Sequence, residues 1–132
     1  MDTLSKTYHV LVAEDVKLNF ILVRNVLEKH IACNFVIHHA ENGKEAVDIC
    51  KENSEINLVI MDIRMPIMDG YEATEIIKKH RKNLPVIAHT AFCTKRDITT
   101  ALQAGCDIVL KKPLDRVAFK KTVESYLKVG VN

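Results

Sequence analysis

The sequence predicts an α/β fold, a doubly wound parallel sheet of five strands with five helices on its two faces. Three observations predict it. Five short apolar runs recur along the chain, starting at positions 10, 35, 58, 86 and 108. Most are continuously apolar instead of alternating, which is the pattern of strands buried on both faces in a helix-covered parallel sheet. The segments between them carry apolar residues at helical spacing, with capping and stop residues at several of their ends. With 132 residues, 48% of them hydrophobic and 27% charged, the chain has the length of one domain, placed at residues 1–132 with a core of about 8–128.

Val10-Leu11-Val12-Ala13 is the first strand, and Leu18, Ile21, Leu22 and Val26 follow at i, i+3, i+4, i+8 spacing, so the first helix is predicted to bury that stripe. Phe35-Val36-Ile37 is the second strand; it leads only to Ala40 and Glu41 and reads as an edge. Ala46, Val47 and Cys50 follow Gly43 in the second helix, and Leu58-Val59-Ile60-Met61 is the third strand. The third helix, Tyr71 to Arg81, places Tyr71, Thr74, Ile77 and Lys78 on one side. Glu72 and Glu75 stand near its start and Lys78, Lys79, His80 and Arg81 at its end, a charge order that complements the helix dipole. Val86-Ile87-Ala88 is the fourth strand. Thr94 caps a fourth helix with Ile98, Ala101 and Leu102 together, and Gly105 stops it. Ile108-Val109-Leu110 is the fifth strand, and a last helix from about Leu114 carries Phe119, Val123, Tyr126 and Leu127.

Composition excludes several function classes. Lys and Arg number 19 against 17 Asp and Glu, and a net charge of +2 with both signs interspersed is not the footprint of a nucleic-acid-binding surface. Apolar stretches such as Val10 to Ala13 and Phe20 to Val23 are only four residues long, and Met1 to Lys6 contains no signal-peptide core. Cys33, Cys50, Cys93 and Cys106 form no C-x-x-C and no metal-ligand spacing. A cytoplasmic protein with reduced thiols is expected, making no contact with membrane.

In open α/β sheets the chemistry gathers at the carboxyl ends of the strands. Here those ends are Glu14-Asp15, Asp62, His89-Thr90 and Lys111-Lys112, which would bring three carboxylates, a hydroxyl and an ammonium to one rim. Taken singly, a Glu-Asp pair after a strand is often a helix cap and a lone Asp a turn residue. Together they form a compatible set. Crowded carboxylates resist full ionisation without a cation, and oxygen ligands favour Mg²⁺ or Mn²⁺. Lysine and a divalent ion around a carboxylate suit an incoming phosphoryl group, with the carboxylate itself as nucleophile.

The run Met61-Asp62-Ile63-Arg64-Met65-Pro66-Ile67-Met68-Asp69-Gly70-Tyr71-Glu72-Ala73-Thr74, with Val10 to Asp15 before it and Pro85 to Ala91 and Lys112-Pro113 after it, resembles the receiver domain of two-component response regulators over roughly Tyr8 to Leu127. Receivers of hybrid histidine kinases and phosphorelays are the nearest in pattern. The resemblance implies a flavodoxin-like sheet order of 2-1-3-4-5 and makes Asp62 the acceptor of a phosphoryl group from a phosphohistidine. It implies Mg²⁺ held by Glu14, Asp15, Asp62 and the backbone carbonyl of Arg64. Lys112, before a cis bond to Pro113, would contact the phosphoryl oxygens, and Thr90 would swing toward them with help from the Ala91 backbone N–H. A histidine kinase or histidine phosphotransfer protein is the implied partner, and a monomer or weak dimer the implied state.

This chain departs from the family pattern in places. Val109 stands where an aromatic switch residue is usual, Val16 where this subgroup commonly has Asn, and His89 where an apolar residue precedes Thr90. Lys111 is at the wrong count from Pro113 to make the phosphate contact. Arg64 and Phe92, two residues beyond Asp62 and Thr90, cannot orient a hydrolytic water, so slow self-dephosphorylation is expected. Six histidines invite a metal reading, yet His38 and His39 would point to opposite sides of a strand and no H-x-x-x-H occurs, so ordinary surface or half-buried histidines are expected. Cys93 has only Lys95 and Arg96 nearby to lower its pKa, and the basic stretch from Lys111 to Asn132 reads as a solvated face.

Other functions fit less well. Phosphatases of the haloacid dehalogenase type need a second Asp two residues after the nucleophile, where this chain has Arg64, so a turnover enzyme is not expected. The four glycines form no nucleotide-binding motif. A histidine phosphotransfer domain would be all-helical, and a degenerate receiver would not keep Glu14, Asp15, Asp62, Thr90 and Lys112 together. With only Lys128 to Asn132 after Leu127, the sequence reads either as a stand-alone shuttle or as a piece of a longer kinase.

Overall fold

A computed structural model describes residues 6–129 of the chain, so the first five and last three residues of the expected domain lie outside the described residues. The elements are β1 (Thr7–Ala13), α1 (Lys17–His30), β2 (Asn34–Ala40), α2 (Gly43–Glu52), β3 (Ile56–Met61), α3 (Gly70–His80), β4 (Val86–Thr90), α4 (Lys95–Ala104), β5 (Ile108–Lys111) and α5 (Arg116–Leu127). All strand pairs are parallel, in the order β2-β1-β3-β4-β5. That is the order implied by the resemblance, with β2 and β5 at the edges.

The continuous apolar runs are explained by the two faces of the sheet. Successive strand residues point to opposite sides. Leu11, Ala13, Val59, Met61, Val86 and Ala88 therefore meet Ala46, Val47, Ala73, Ile77 and Ala101 of α2, α3 and α4. Val10, Val12, Leu58, Ile60 and Ile87 meet Val23, Val26 and Leu27 of α1 and Phe119 and Val123 of α5. The edge strands bury less, and β2 alternates between exposed and half-buried along much of its length.

Local signals hold the helix ends. The Asn42 side chain accepts from the Glu45 N–H, Asp69 from Glu72 and Asp115 from Ala118. Thr94 and Asp97 form a reciprocal capping box, and Gly105 ends α4 in the left-handed region at φ 112°. At α1 the N-cap position is Val16, which has no side chain able to cap.

The predicted buried stripe of α1 is corrected in part. Val26 is buried as expected and Ile21 is half-buried, but Leu18 and Leu22 are 64% and 44% exposed, while Val23 and Leu27 are buried in their place. Apolar residues at helical spacing lie on both sides of the buried stripe, so periodicity identified the helix but not its exact rotation against the sheet. A smaller change affects α4, where Ala101 and Ala104 are buried and Leu102 is exposed.

Candidate functional site

The sheet register sets the acceptor rim. Ala13 lies opposite Met61, so the residues that follow them, Glu14 and Asp62, leave the sheet side by side. Backbone bonds pin both: Glu14 N–H donates to the Ala40 carbonyl and Asp62 N–H to the Ala13 carbonyl, each at 2.9 Å. Gly70 opens α3 hard against this strand end, its N–H 2.8 Å from the Ile63 carbonyl. A Cβ at Gly70 would overlap the Asp62 carbonyl oxygen, so only glycine allows this close approach.

Glu14, Asp15 and Asp62 each offer a carboxylate oxygen, and these oxygens lie within 4.8 Å of one another. Glu14 and Asp62 are buried, and Asp15 is exposed at the mouth. The Lys112 ammonium, reaching across from the end of β5, is 2.7 Å from Glu14 Oε1 and 3.4 Å from Asp62 Oδ1. Asp62 Oδ1 also accepts the Ile63 N–H at 2.8 Å. Even so, the Asp62 carboxyl is pushed up to about 7, first by burial and then by the negative charge of Glu14, against the pull of Lys112 and the Ile63 N–H. One ammonium does not balance three carboxylates. Buried oxygen donors short of positive charge, with one exposed carboxylate at the entrance, are what a hard divalent cation fits.

The remaining expected residues line the same rim. Thr90 ends β4, buried, with its hydroxyl oxygen accepting the Phe92 N–H at 3.0 Å. Its carbonyl accepts the Lys112 N–H at 2.8 Å, which ties the hydroxyl strand to the lysine strand. Ala91 follows, exposed, and Lys112-Pro113 is cis. Arg64 lies in the loop just beyond Asp62, its guanidinium 4.2 Å from the centre of the Phe92 ring. The two positions expected to border a water path are thus joined to each other across the mouth.

Two features of the surroundings are not legible in the sequence pattern. His39 Nε2 donates to the Glu14 carbonyl at 2.8 Å while its ring stacks on Phe20 at 3.7 Å, so β2 and α1 together hold the Glu14 backbone in place. His89 is 4% exposed, packed near Phe119, with no partner for Nε2. Burial, aided by the Lys112 charge, lowers its pKa to about 4 and keeps the ring neutral. His39 lies on the face opposite His38, as expected, but His38 is not isolated: its Nε2 is 3.1 Å from His9 Nδ1.

The family model for the response regulator receiver domain matches residues 10–124. The chain belongs to this family. Among relatives, the receiver is 36% identical over 120 residues to the polar-differentiation response regulator DivK of Brucella anthropi, covering 89% of this chain and 94% of that one. It is 38% identical over 128 residues to hybrid signal transduction histidine kinase G of Dictyostelium discoideum, covering 94% of this chain and only 4% of the kinase. Among solved structures, it resembles the receiver domain of a Pseudomonas aeruginosa sensor histidine kinase with a magnesium ion coordinated in its active-site cleft. That likeness has a TM-score of 0.83 at 26% identity and covers 93% of this chain and 99% of the other. The CheX-CheY-BeF3-magnesium complex of Borrelia burgdorferi is similar with a TM-score of 0.81 at 25% identity, covering 91% and 89%. The receiver thus belongs to two-component signalling, and among its described residues no helix is long and apolar enough to cross a membrane.

Proposed function

We propose that the receiver accepts a phosphoryl group on Asp62 from a phosphohistidine of a histidine kinase or histidine phosphotransfer protein and passes the signal on by a change of conformation. The observation that carries this reading is the convergence of Glu14, Asp15, Asp62 and Lys112 on one rim. An Asp62 carboxylate oxygen attacks phosphorus; the new P–O bond forms as the P–N bond to the donor imidazole breaks, and the imidazole leaves with that electron pair. Glu14, Asp15, Asp62 and the Arg64 carbonyl would hold Mg²⁺, with Mn²⁺ as the alternative, and the bound ion supplies positive charge beside the phosphoryl oxygens. Lys112, already within reach of Asp62, adds a fixed ammonium on the other side.

Phosphorylation puts new charge beside Thr90. The hydroxyl that now accepts from Phe92 becomes a donor to a phosphoryl oxygen, with the Ala91 N–H beside it, and the start of α4 shifts in consequence. Val109 supplies no ring to move in concert, so the change is smaller on the β5 side. The group accepted is lost only by slow hydrolysis, and Arg64 supplies no acid or base, so the receiver is not a turnover enzyme. It acts in the cytoplasm as a monomer or weak dimer, with a protein partner and no direct contact with nucleic acid.

The test is intact mass after incubation with acetyl phosphate and Mg²⁺. One added phosphoryl group is expected in the wild type, absent in Asp62→Asn and abolished by EDTA. No adduct, and no spectroscopic change with beryllofluoride, would instead make the chain a phosphorylation-independent docking module.

A further inference from the structure

On the edge pair of strands β1 and β2, two histidines on neighbouring strands face each other. His9 of β1 and His38 of β2 lie on the α2 side of the sheet, with His9 Nδ1 3.1 Å from His38 Nε2 and the ring centres 5.3 Å apart. On its other side His9 Nε2 is 3.1 Å from the Glu55 carboxylate. A carboxylate only accepts, so His9 presents Nε2–H to Glu55 and aims its other ring nitrogen, Nδ1, at His38 Nε2. A proton lies between the two facing nitrogens in the metal-free protein.

A carboxylate that fixes the tautomer and orientation of an imidazole is the usual supporting arrangement behind a metal-bound histidine. The nitrogen separation also fits. At metal–nitrogen distances of about 2.0–2.1 Å, tetrahedral geometry places two ligand nitrogens roughly 3.3 Å apart, a few tenths of an ångström from the separation found here. Neighbouring polar groups hold the pair. Asn57 Oδ1 accepts the His9 backbone N–H at 2.7 Å, Asn53 Oδ1 accepts the Glu55 N–H at 2.9 Å, and the Asn53 amide lies 3.5 Å from His38 Nε2. The His9 side chain is 20% exposed, so solvent reaches the pair and water can complete a coordination sphere. His38, held below the ordinary imidazole pKa by burial and by His9 against the pull of Glu55, is neutral and ligand-competent at pH 7.

We propose that His9 Nδ1 and His38 Nε2 form a binding site for a borderline divalent transition ion of the Zn²⁺ class, separate from the acceptor's cation site. On binding, the metal replaces the proton that lies between the two facing nitrogens, and that proton passes to His38 Nδ1 or to buffer. Imidazole nitrogens favour Zn²⁺, Cu²⁺ and Ni²⁺ over the oxygen-seeking Mg²⁺. Glu14 lies five positions after His9 and three after Leu11, the register partner of His38, about 16 Å and about 10 Å along the strand at ~3.3 Å per residue, so the two sites do not share ligands. Bound metal would clip the edge strand β2 to β1.

The test is calorimetric titration of the untagged protein with Zn²⁺ in saturating Mg²⁺, which occupies the acceptor carboxylates. One equivalent should bind in the wild type. His9→Gln and His38→Gln should each abolish it, and Glu55→Gln should weaken it by roughly tenfold or more. Cu²⁺ in place of Zn²⁺ should bind more tightly and show two nitrogen ligands by electron paramagnetic resonance. Thermal unfolding of the metal-free variants confirms that they are folded. Zn²⁺ affinity unchanged in the folded histidine variants, or no binding by the wild type, would overturn the site and leave the pair as a hydrogen bond alone.

Discussion

His89 offers the sharpest pH prediction because its environment leaves the charged form no support. The ring is 4% exposed, its Nε2 has no hydrogen-bond partner, and the nearby charge, Lys112, is of the wrong sign. In the unfolded chain this imidazole takes a proton near 6.5; in the fold it does so only near 4. Between those values the unfolded state binds more protons, so stability falls as pH falls, and the difference corresponds to about 3 kcal/mol across the window. The contribution is fully present above pH 6.5 and is lost as pH drops toward 4. His89→Met removes both the titration and the orphan nitrogen. At pH 7 the variant should be at least as stable as the wild type, because an unpaired buried polar atom costs about 1–3 kcal/mol. From pH 7 to pH 4 the gap in its favour should widen by about 3 kcal/mol. Urea unfolding of both proteins at pH 7, 6, 5 and 4 measures this gap, and titration of groups common to both proteins cancels in the difference. A gap constant across that range would refute the neutral, unsupported histidine.

Further predictions concern other parts of the molecule. Phe92→Glu, which removes the ring under the Arg64 guanidinium and adds a carboxylate able to orient water, should shorten the lifetime of the phosphorylated protein; an equal or longer lifetime in the variant refutes the expected slow self-dephosphorylation. Asp107 Oδ2 accepts both the Val86 N–H and the Lys78 ammonium at 2.8 Å. Asp107→Ala should therefore cost about 2 kcal/mol in urea unfolding, and Lys78→Ala less than half of that. Ile67 is a β-branched residue at φ 71°, 78% exposed, in a tight turn closed by Met68 N–H to the Pro66 carbonyl at 2.7 Å. Relief of that backbone strain in Ile67→Gly should raise stability by about 1 kcal/mol, and a lowered unfolding midpoint would contradict it.

What could be read before folding was what depends on neighbours along the chain. Continuous apolar runs marked the strands because the residues of a doubly covered strand need the same property on both faces. Thr94 and Gly105 marked the ends of α4 because caps act within three or four residues. The strand ends showed Glu14, Asp15, Asp62, Thr90 and Lys112 as a set, since in a parallel sheet those ends lie on one rim. The family resemblance supplied the strand order that periodicity alone does not.

Tertiary structure decided the contacts that depend on phase and register. A helical period defines a stripe but not its rotation about the axis, so only packing against the sheet and α5 chose Val23 and Leu27 beside the expected Val26 of α1 over Leu18 and Leu22. His9 and His38 are 29 residues apart in sequence, and His39 and Glu14 are 25 apart. No local spacing rule reaches that far, because the register of two parallel strands is set only when the helix between them packs back onto the sheet. The elements and their chemistry were therefore properties of the sequence by itself. Which side chains meet was settled by the fold, where one residue of phase or register separates a buried partner from an exposed one.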